Sequence, residues 1–431
     1  MSFIEEALAI LKANDRGEFS VPTHGLYPVQ FNWDSAFAAL GYRHYAPQRA
    51  VREVELLLEG QWADGMVPHI IFRGDHQGYF PGPDVWSTGQ PIPTSGITQP
   101  PVAGSILRQL IEGGVSVSSD RLGAMVARLD RWHDWFTRAR QCPDSGAILV
   151  VHPWESGRDN LSDWDGAMAQ VVPDTGLGEY RRRDLEHVDA EQRPTREEYD
   201  RYLTIVRFGR DCGWDQAHLG RNSPFRMIDP GMTAMLLRSE RDLVWLQGQT
   251  GQDTAATKAR IQRLEEGWRS LWNPRVKSFT SRNMSTGAFI DEVSAASFLG
   301  PYAGMVDHLG ETLDHFDRFA RSVDFMIPSF DPASEGFDPQ RYWRGPIWHV
   351  INNRIGLGLQ EIGELDRSER VRRDTARLTE KSGFSEYFDP LTGEGLGGKL
   401  FTWTASVYLD WACDGEQVAA AVAASSPVAT D

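Results

Sequence analysis

Helical spacing dominates the pattern of hydrophobic and polar positions along this chain. Residues 32–45 and 47–62 place apolar side chains three and four positions apart on either side of a short joint, and so predict a pair of helices. Few stretches alternate as strands do. The same helical spacing recurs near 99–112, 118–140, 195–212, 231–249, 253–272, 302–322, 345–362, 366–380 and 401–413. The pattern predicts about eleven helices and an all-α fold.

Two kinds of helix alternate along the chain. The segment 231–249 is apolar on more than one face, which is typical of a helix in an inner layer. The segment 253–272 carries a charged face, as an outer helix does. This alternation favours a closed ring of helical hairpins, an (α/α)6 barrel, because each inner helix is then covered by an outer one. Periodicity alone leaves an α-solenoid or an irregular bundle open.

Two long segments and a tail depart from the helical pattern. Residues 63–98 and 143–195 are rich in Gly, Pro and aromatic residues and are too long for plain connectors. Long ordered loops in a compact domain usually carry function. We therefore expect one barrel domain over 1–413, with these loop insertions covering one end. Residues 414–431 are of low complexity and are predicted to form a flexible tail.

Composition excludes several classes of partner. The formal net charge of -16 argues against nucleic acid and anionic membranes, because binding phosphates needs a basic surface. No apolar stretch is long enough to span a bilayer, and the acidic N-terminal segment is unlike a signal peptide. Cys142, Cys212 and Cys413 have neither metal-site nor disulfide spacing, so we expect a cytoplasmic protein. Fifteen Trp suit stacking on sugar rings, although a large core also uses Trp.

The stretch HPWESGRDNLSDWD, residues 152–165, gathers four carboxylates around two indoles. Neighbouring carboxylates repel and are tolerated when they are solvated, when they bind a metal, or when one is held neutral as an acid. A helix N-terminus capped by Asp159 or Asn160 is the alternative interpretation. A metal site on His152 and Glu155 lacks the usual ligand spacing, so we expect neither a metal nor another cofactor.

A second acidic segment lies at 383–411. Glu386 stands between aromatic residues, and Glu394 stands between two glycines; either could simply occupy a solvated turn. Two acids from separate loops, walled by indoles, could cleave a glycosidic bond. One would protonate the leaving oxygen, and the other would activate water or attack the anomeric carbon. Desolvation by Trp would raise the pKa of the acid partner.

Three further segments carry candidate binding residues. Tyr342, Trp343 and Trp348 form either a sugar-stacking wall or a stacked core. Asp34, just inside a predicted helix, could bind sugar hydroxyls or complement the helix dipole. Arg193 lies among acids and is either a surface ion-pair residue or a fork for the carboxylate of an anionic substrate.

Taken together, these segments resemble glycoside hydrolase family 63, of the inverting (α/α)6-barrel clan that also holds trehalase and glucoamylase-like relatives. The resemblance spans about residues 24 to 411. Chain length and the run HVDAEQRPTREEYDRY are most similar to the small bacterial enzymes that hydrolyse mannosylglycerate or glucosylglycerate. The motifs that carry the resemblance are WDSAF (33–37), WESGRDN (154–160), YWRGPIW (342–348), EYFDPLTGEGLG (386–397) and FTWTA (401–405).

The resemblance implies a role for each candidate residue. It makes Asp159 the general acid and Glu386, rather than Glu394, the general base. Phe31, two positions before Trp33, stands where an indole is expected, which leaves mannose or glucose open. Leu161 and Ser162 follow Asn160 where Ser-Pro is commoner. The implied binding residues are Asp34, Trp154, Trp343 and Trp348 around the sugar, Arg193, Tyr199 and Gln99 near the glycerate, and Tyr27, Phe31, Trp33, Tyr79 and Tyr342 along the pocket.

The sequence therefore predicts an inverting α-glycoside hydrolase that cleaves a glycosylglycerate to hexose and glycerate. Its partner would be a small, anionic glycoside, with no role for nucleic acid or membranes. An α-glucosidase acting on a neutral disaccharide, such as a kojibiose- or trehalose-like sugar, is the alternative. A sugar-binding protein without catalysis would lack a use for both candidate carboxylates. Oligomeric state stays open.

Overall fold

Helices form most of the chain, as the hydrophobic spacing predicts. A computed structural model describes residues 2–74, 76, 79–182, 185 and 188–425. The described residues form sixteen α-helices: α1 (Phe3–Asn14), α2 (Asn32–Tyr42), α3 (Pro47–Glu59), α4 (Pro83–Trp86), α5 (Ala103–Glu112), α6 (Ser119–Ala139), α7 (Asp165–Met168), α8 (Arg196–Asp211), α9 (Gln216–Asn222), α10 (Pro230–Thr250), α11 (Ala255–Arg269), α12 (Leu309–Ser322), α13 (His349–Glu361), α14 (Leu365–Ser382), α15 (Thr402–Val407) and α16 (Gly415–Ser425).

Six inner elements close into a ring. In order they are α2, α5, α10, the 3₁₀-helix Ala295–Leu299, α13 and α15, and α15 packs back on α2. Each inner element has an outer partner, in the same order α3, α6, α11, α12, α14 and α1. Closure of the ring confirms the (α/α)6 barrel and rules out a solenoid or an irregular bundle. One inner position is a short 3₁₀-helix, and its outer partner α12 begins at Leu309 rather than near 302.

The inner and outer layers differ in burial as their sequences indicate. Every residue of α2 is buried, because this helix has neighbours on all sides. The outer helix α14 buries one face and leaves its other charged residues at least partly exposed, apart from the buried Asp374, which pairs with Arg370 and Arg377. Acidic residues on an inner helix must then be paired: Asp242 of α10 receives hydrogen bonds from Arg108 and Arg238, at 2.9 Å each.

In the part of the chain that the structure describes, nine two-residue strands lie between the helices. Two antiparallel pairings join loops at one end of the barrel: Phe31 pairs with Ile70, and Tyr387 pairs with Leu396. The first ties the predicted insertion 63–98 to the start of α2. The strands are β1 (Gln30–Phe31), β2 (Ile70–Ile71), β3 (Leu149–Val150), β4 (Met227–Ile228), β5 (Trp272–Asn273), β6 (Ser278–Phe279), β7 (Arg282–Asn283), β8 (Tyr387–Phe388) and β9 (Gly395–Leu396), in sheets β1–β2, β3–β4–β7, β5–β6 and β8–β9.

The C-terminal segment is more ordered than its composition predicts. Residues 415–425 form α16, which packs on α1 and buries Val418, so the prediction of a flexible tail is not met there. The rest of the predicted tail, 426–431, lies outside the described residues. Across the described helices, none combines the length and the apolar character needed to cross a bilayer.

Close packing between layers makes a testable prediction at Gly358 of α13. A Cβ there would lie 2.3 Å from the backbone nitrogen of Tyr302 and 2.6 Å from its Cα. Because backbone cannot move aside cheaply, Gly358→Ala should lower the free energy of unfolding by about 1–3 kcal/mol. Gly248→Ala is the matched control, since Gly248 of α10 has no atom within 4 Å of its Cβ position. It should raise the free energy of unfolding by about 0.5–1 kcal/mol. Urea denaturation followed by circular dichroism measures both, and equal effects would contradict the packing argument.

Candidate active site

One pocket gathers all the binding and catalytic residues that the sequence singles out. It encloses about 900 Å³, including its open mouth. The predicted residues that line it are Tyr27, Phe31, Trp33, Asp34, Tyr79, Gln99, Trp154, Asp159, Arg193, Tyr199, Tyr342, Trp343, Trp348 and Glu386. His69, Tyr202, Phe401 and Trp403 also line it and were not assigned from the sequence. Of these, Trp403 could have been predicted from the sequence because it lies in the FTWTA motif, whereas no motif pointed to His69.

Element ends and loops supply these side chains. Trp33 and Asp34 lie in the first turn of α2, and Trp348 immediately precedes α13. Glu386 immediately precedes β8, and Arg193 follows the 3₁₀-helix Ala190–Gln192. Residues far apart in sequence therefore meet at one end of the barrel.

The four acids of the 152–165 motif have different environments. Glu155 is fully buried and pairs with Arg140 at 2.8 Å, while it also accepts from the Val151 N–H at 2.9 Å. Asp163 accepts a hydrogen bond from Ser281, and Asp165 pairs with Arg344 near the surface. Of the four, Asp159 alone lines the pocket. The motif thus combines one pocket acid with acids that hold its loop in place.

Backbone geometry explains the glycine and the histidine of this motif. Gly157 has φ +68°, and a Cβ there would lie 2.6 Å from the Trp33 ring, so the turn needs glycine. His152 accepts from the Trp154 N–H at 3.1 Å and donates Nε2–H to the Tyr202 carbonyl at 3.1 Å. Burial lowers the pKa of His152 to about 3, so the ring is neutral. Within the described ranges no cluster of His, Cys, Asp and Glu is disposed to hold a metal.

Asp159 is held by contacts from two other segments. The Tyr202 hydroxyl donates to the Asp159 carbonyl at 2.9 Å, and the Tyr342 hydroxyl hydrogen-bonds to its carboxyl. Asn160 accepts from the Trp343 N–H at 3.0 Å, which joins the WESGRDN and YWRGPIW segments rather than capping a helix. Tyr342 has φ +46°, a left-handed conformation that is uncommon for a bulky residue.

Burial sets the protonation of two pocket acids. It raises the pKa of Asp159 to about 7. The positive charge of Arg193 opposes this rise, and the negative charge of Glu386 adds to it. Burial, together with the charges of Glu386 and Asp159, also raises the pKa of Asp34 well above its ordinary value. A carboxyl with a pKa near neutrality can donate a proton at the pH of the cell.

Glu386 is buried and is oriented by three donors. Arg193 Nη2 donates to Oε2 at 2.6 Å, the Gly398 N–H donates to Oε2 at 2.8 Å, and the Tyr27 hydroxyl reaches Oε1 at 3.3 Å. The indole N–H of Trp403 fixes the Glu386 carbonyl at 3.1 Å. Glu394, the other acid of this segment, is exposed and lies outside the pocket lining.

Arg193 is a pocket residue rather than a surface ion-pair residue. It is 2% exposed, lies over the Tyr342 ring at 4.5 Å, and donates from Nη1 to the Tyr27 hydroxyl at 2.9 Å. Its Nε has no acceptor among the residues the structure describes. An unsatisfied donor on a buried guanidinium is costly, so this nitrogen is a candidate contact for a ligand.

Aromatic rings form a wall that is partly core. Trp343 and Trp348 stack face to face, with centroids 3.9 Å apart, and Trp403 meets Trp348 edge-on at 5.8 Å. The two readings of the sequence, a sugar-stacking wall and a stacked core, are therefore not exclusive. Phe31, at the position where an indole was expected, contacts Tyr27, His69 and Tyr79 edge-on at 5.3 to 6.1 Å.

The raised pKa of Asp159 makes stability depend on pH. Its pKa is about 7 in the folded protein against an ordinary value of 3.8, so the folded state binds a proton more tightly than the unfolded state. Stability is therefore lost as the pH rises through this window. Asp159→Asn removes the titration. Its free energy of unfolding relative to wild type should rise by about 2 kcal/mol between pH 5 and pH 8. Urea denaturation at both pH values measures this, and parallel pH profiles would contradict it.

Comparisons with known proteins agree with this geometry. The family model of the mannosylglycerate hydrolase MGH1-like glycoside hydrolase domain matches residues 27–404. A mannosylglycerate hydrolase of Thermus thermophilus is 40% identical over 415 residues, covering 94% of this chain and 99% of that protein. A glucosylglycerate hydrolase of Mycolicibacterium hassiacum is 33% identical, covering 94% and 96%.

A solved structure extends the similarity to the fold. The crystal structure of the family 63 mannosylglycerate hydrolase from Thermus thermophilus, in complex with Tris and D-glycerate, superposes with a TM-score of 0.92 at 39% identity. The match covers 96% of this chain and all of that chain, 100%. The similarity therefore includes both the barrel and the segments that line the pocket.

Proposed function

Since the chain belongs to the mannosylglycerate hydrolase MGH1-like family of glycoside hydrolases, we propose that it cleaves a glycosylglycerate to hexose and glycerate. It is a glycoside hydrolase, and family 63 enzymes invert the configuration at the anomeric carbon. The observation that supports the glycerate is Arg193, a buried guanidinium in the pocket beside Glu386. The names of the relatives include both mannosyl and glucosyl substrates, so the hexose is either mannose or glucose.

In this proposal Asp159 is the general acid. Its carboxyl has a pKa of about 7 because it is desolvated, so it carries a proton at neutral pH and can pass that proton to the glycosidic oxygen. Glu386 is the general base, which removes a proton from the attacking water. Water attacks the anomeric carbon as the bond to the aglycone breaks, and the product is the opposite anomer. After the products leave, Asp159 takes a proton from solvent and Glu386 gives its proton to solvent.

The remaining pocket residues would hold the two halves of the substrate. Asp34 would accept from hexose hydroxyls, and the indoles of Trp154, Trp343 and Trp348 would pack on the sugar ring. Gln99 accepts from the Trp33 N–H at 3.3 Å, which leaves its amide N–H groups for the ligand. Arg193 and Tyr199 would receive the glycerate, with Tyr27, Phe31, Trp33, Tyr79 and Tyr342 as the surrounding wall.

An α-glucosidase acting on a neutral disaccharide is the second candidate. It is favoured by one contact, the 2.6 Å ion pair between Arg193 and Glu386. This pair already balances the guanidinium charge within the protein, so Arg193 does not require an anionic substrate for its charge to be neutralised. The substrate comparison below separates the two candidates.

We assign the whole activity to one catalytic domain over 1–413 and place it in the cytoplasm. The inner ring and its outer partners all fall within these residues, which supports a single domain. Cys142, Cys212 and Cys413 are free thiols, and a reducing compartment would keep them so. The partner is a small-molecule glycoside.

Proton NMR of the purified protein mixed with glucosylglycerate, mannosylglycerate or kojibiose tests substrate and stereochemistry together. The β-hexose should appear in the first minutes from one of the glycosylglycerates, because inversion of an α-glycoside gives the β-anomer. Mutarotation then produces the α-anomer. Early α-hexose would contradict inversion, and release from kojibiose alone would leave the neutral disaccharide as the substrate.

Substitution of the two proposed catalytic carboxyls tests their roles. Asp159→Asn and Glu386→Gln should each lower kcat by about 10²- to 10⁴-fold, because each removes a proton-transfer group while keeping its size. Glu394→Gln is the matched control: it changes an acid of the same segment that lies outside the pocket, and activity should stay within about twofold. Circular dichroism checks the fold of each variant. Near-normal turnover by either pocket variant would refute the corresponding role.

A further inference from the structure

One guanidinium of the pocket contacts both Glu386, the proposed base, and Tyr27. Arg193 donates from Nη2 to Glu386 and from Nη1 to Tyr27, which leaves Nε without an acceptor among the described residues. Nε–H and one Nη2–H point the same way on a guanidinium, and together they form the fork that binds a carboxylate at two points. A carboxylate on this fork would take one of the two Nη2 hydrogens and bring a second negative charge to the guanidinium, so it would compete with Glu386 for the charge of Arg193.

Glu386 has donors other than Arg193. The Gly398 N–H at 2.8 Å and the Tyr27 hydroxyl at 3.3 Å contact its carboxylate, and the Trp403 indole fixes its peptide carbonyl. The contact with Arg193 differs from these because it carries a full positive charge in a buried pair, at 2.6 Å. A carboxylate that is held by a cation is a poorer proton acceptor than the same carboxylate held by neutral donors.

We propose that the carboxylate of an anionic aglycone draws Arg193 away from Glu386 and thereby activates the general base, so that Arg193 selects substrates through turnover and not through affinity alone. The inference rests on the proposed hydrolysis of a glycosylglycerate and adds how its charge is recognised. A neutral glycoside of the same shape enters the pocket but leaves the ion pair between Arg193 and Glu386 intact.

A substrate carboxylate would also favour the protonated form of Asp159, the proposed acid. The charge of Arg193 opposes the rise in the pKa of Asp159, so a substrate carboxylate that neutralises Arg193 removes this opposition. Asp159 then keeps its proton to a higher pH. The other groups that face Asp159 also bear on its titration: Asp34, Glu386, Tyr202 and Tyr342 in the pocket, and Asp165, Glu198, Arg201 and Arg344 in the adjoining cavity that Asp159 also lines.

A pair of substrates that differ in one group tests the turnover claim. Hexosylglycerate and hexosylglycerol, in which the carboxylate is replaced by CH₂OH, are compared at saturation with the hexose that wild type prefers. We expect kcat on hexosylglycerol to be about 10- to 100-fold lower. Equal kcat values with different KM would show that Arg193 is only an anchor and would overturn the proposal.

Arg193→Met gives the opposite and more specific result. This variant keeps much of the side-chain volume but frees Glu386, so kcat on hexosylglycerol should rise about tenfold above wild type. On hexosylglycerate, kcat/KM should fall about 100-fold, because the fork is lost. A lower kcat on both substrates would show that Arg193 supports the site in another way, and the proposal would fail.

Calorimetry with D-glycerate alone provides a readout that does not depend on turnover. Binding at pH 7 in buffers of different ionisation enthalpy should show proton uptake by wild type, because Asp159 binds its proton more tightly once Arg193 is neutralised. Asp159→Asn should bind glycerate without this uptake. Binding without proton exchange by wild type would overturn the coupling but keep the glycerate substrate. No binding, together with no hydrolysis of hexosylglycerate, would instead remove the proposed function.

Discussion

Mutual repulsion among three desolvated carboxyls is the constraint on which this site depends. Asp34, Asp159 and Glu386 line one pocket, where burial and the charges of Glu386 and Asp159 raise the pKa of Asp34, and burial and the charge of Glu386 raise the pKa of Asp159. Three carboxylates cannot all be charged in a space from which most water is excluded. The arrangement resolves this asymmetrically, since Glu386 receives a guanidinium and two neutral donors while the pKa values of Asp159 and Asp34 are raised. The proposed acid and the proposed base are thus distinguished by their surroundings and not by their residue type.

That asymmetry requires a rigid frame, which the inner ring and its loops provide. The loop of Asp159 is anchored on one side by the buried Arg140–Glu155 pair and on the other by the Asn160 contact with the Trp343 N–H. Breaking a buried pair by removing one partner costs about 3–5 kcal/mol, so this anchor is a strong one. Tyr342 lies at the same junction and has a strained left-handed backbone. Two contacts hold its side chain there, since its ring covers Arg193 and its hydroxyl hydrogen-bonds to Asp159.

Much of this could be predicted from the sequence because it depends on local pattern. The contrast between 231–249 and 253–272 distinguished the inner α10 from the outer α11, and indoles beside acids marked the pocket segments. The rest depends on contacts between distant residues. Spacing could not reveal that Glu155 pairs with Arg140 rather than lining the pocket. It also could not reveal that His69, immediately before β2, lines the pocket. The 3₁₀-helix Ala295–Leu299 was missed as an inner element because five residues carry too little periodicity.

The net negative charge of the protein opposes the binding of an anionic substrate. A chain with a formal net charge of -16 repels a carboxylate at long range, and its pocket contains three more acids. Salt screens the distant charges within about 8 Å, whereas a buried contact is screened far less. Recognition of a carboxylate must therefore come from desolvated donors inside the pocket, and Arg193 is the guanidinium among the residues described as lining it. Because that guanidinium is also bonded to Glu386, the proposed recognition of the aglycone and the proposed activation of water share one group. Separating them would require a second cation, which would in turn lower the pKa of Asp159 and weaken it as the acid.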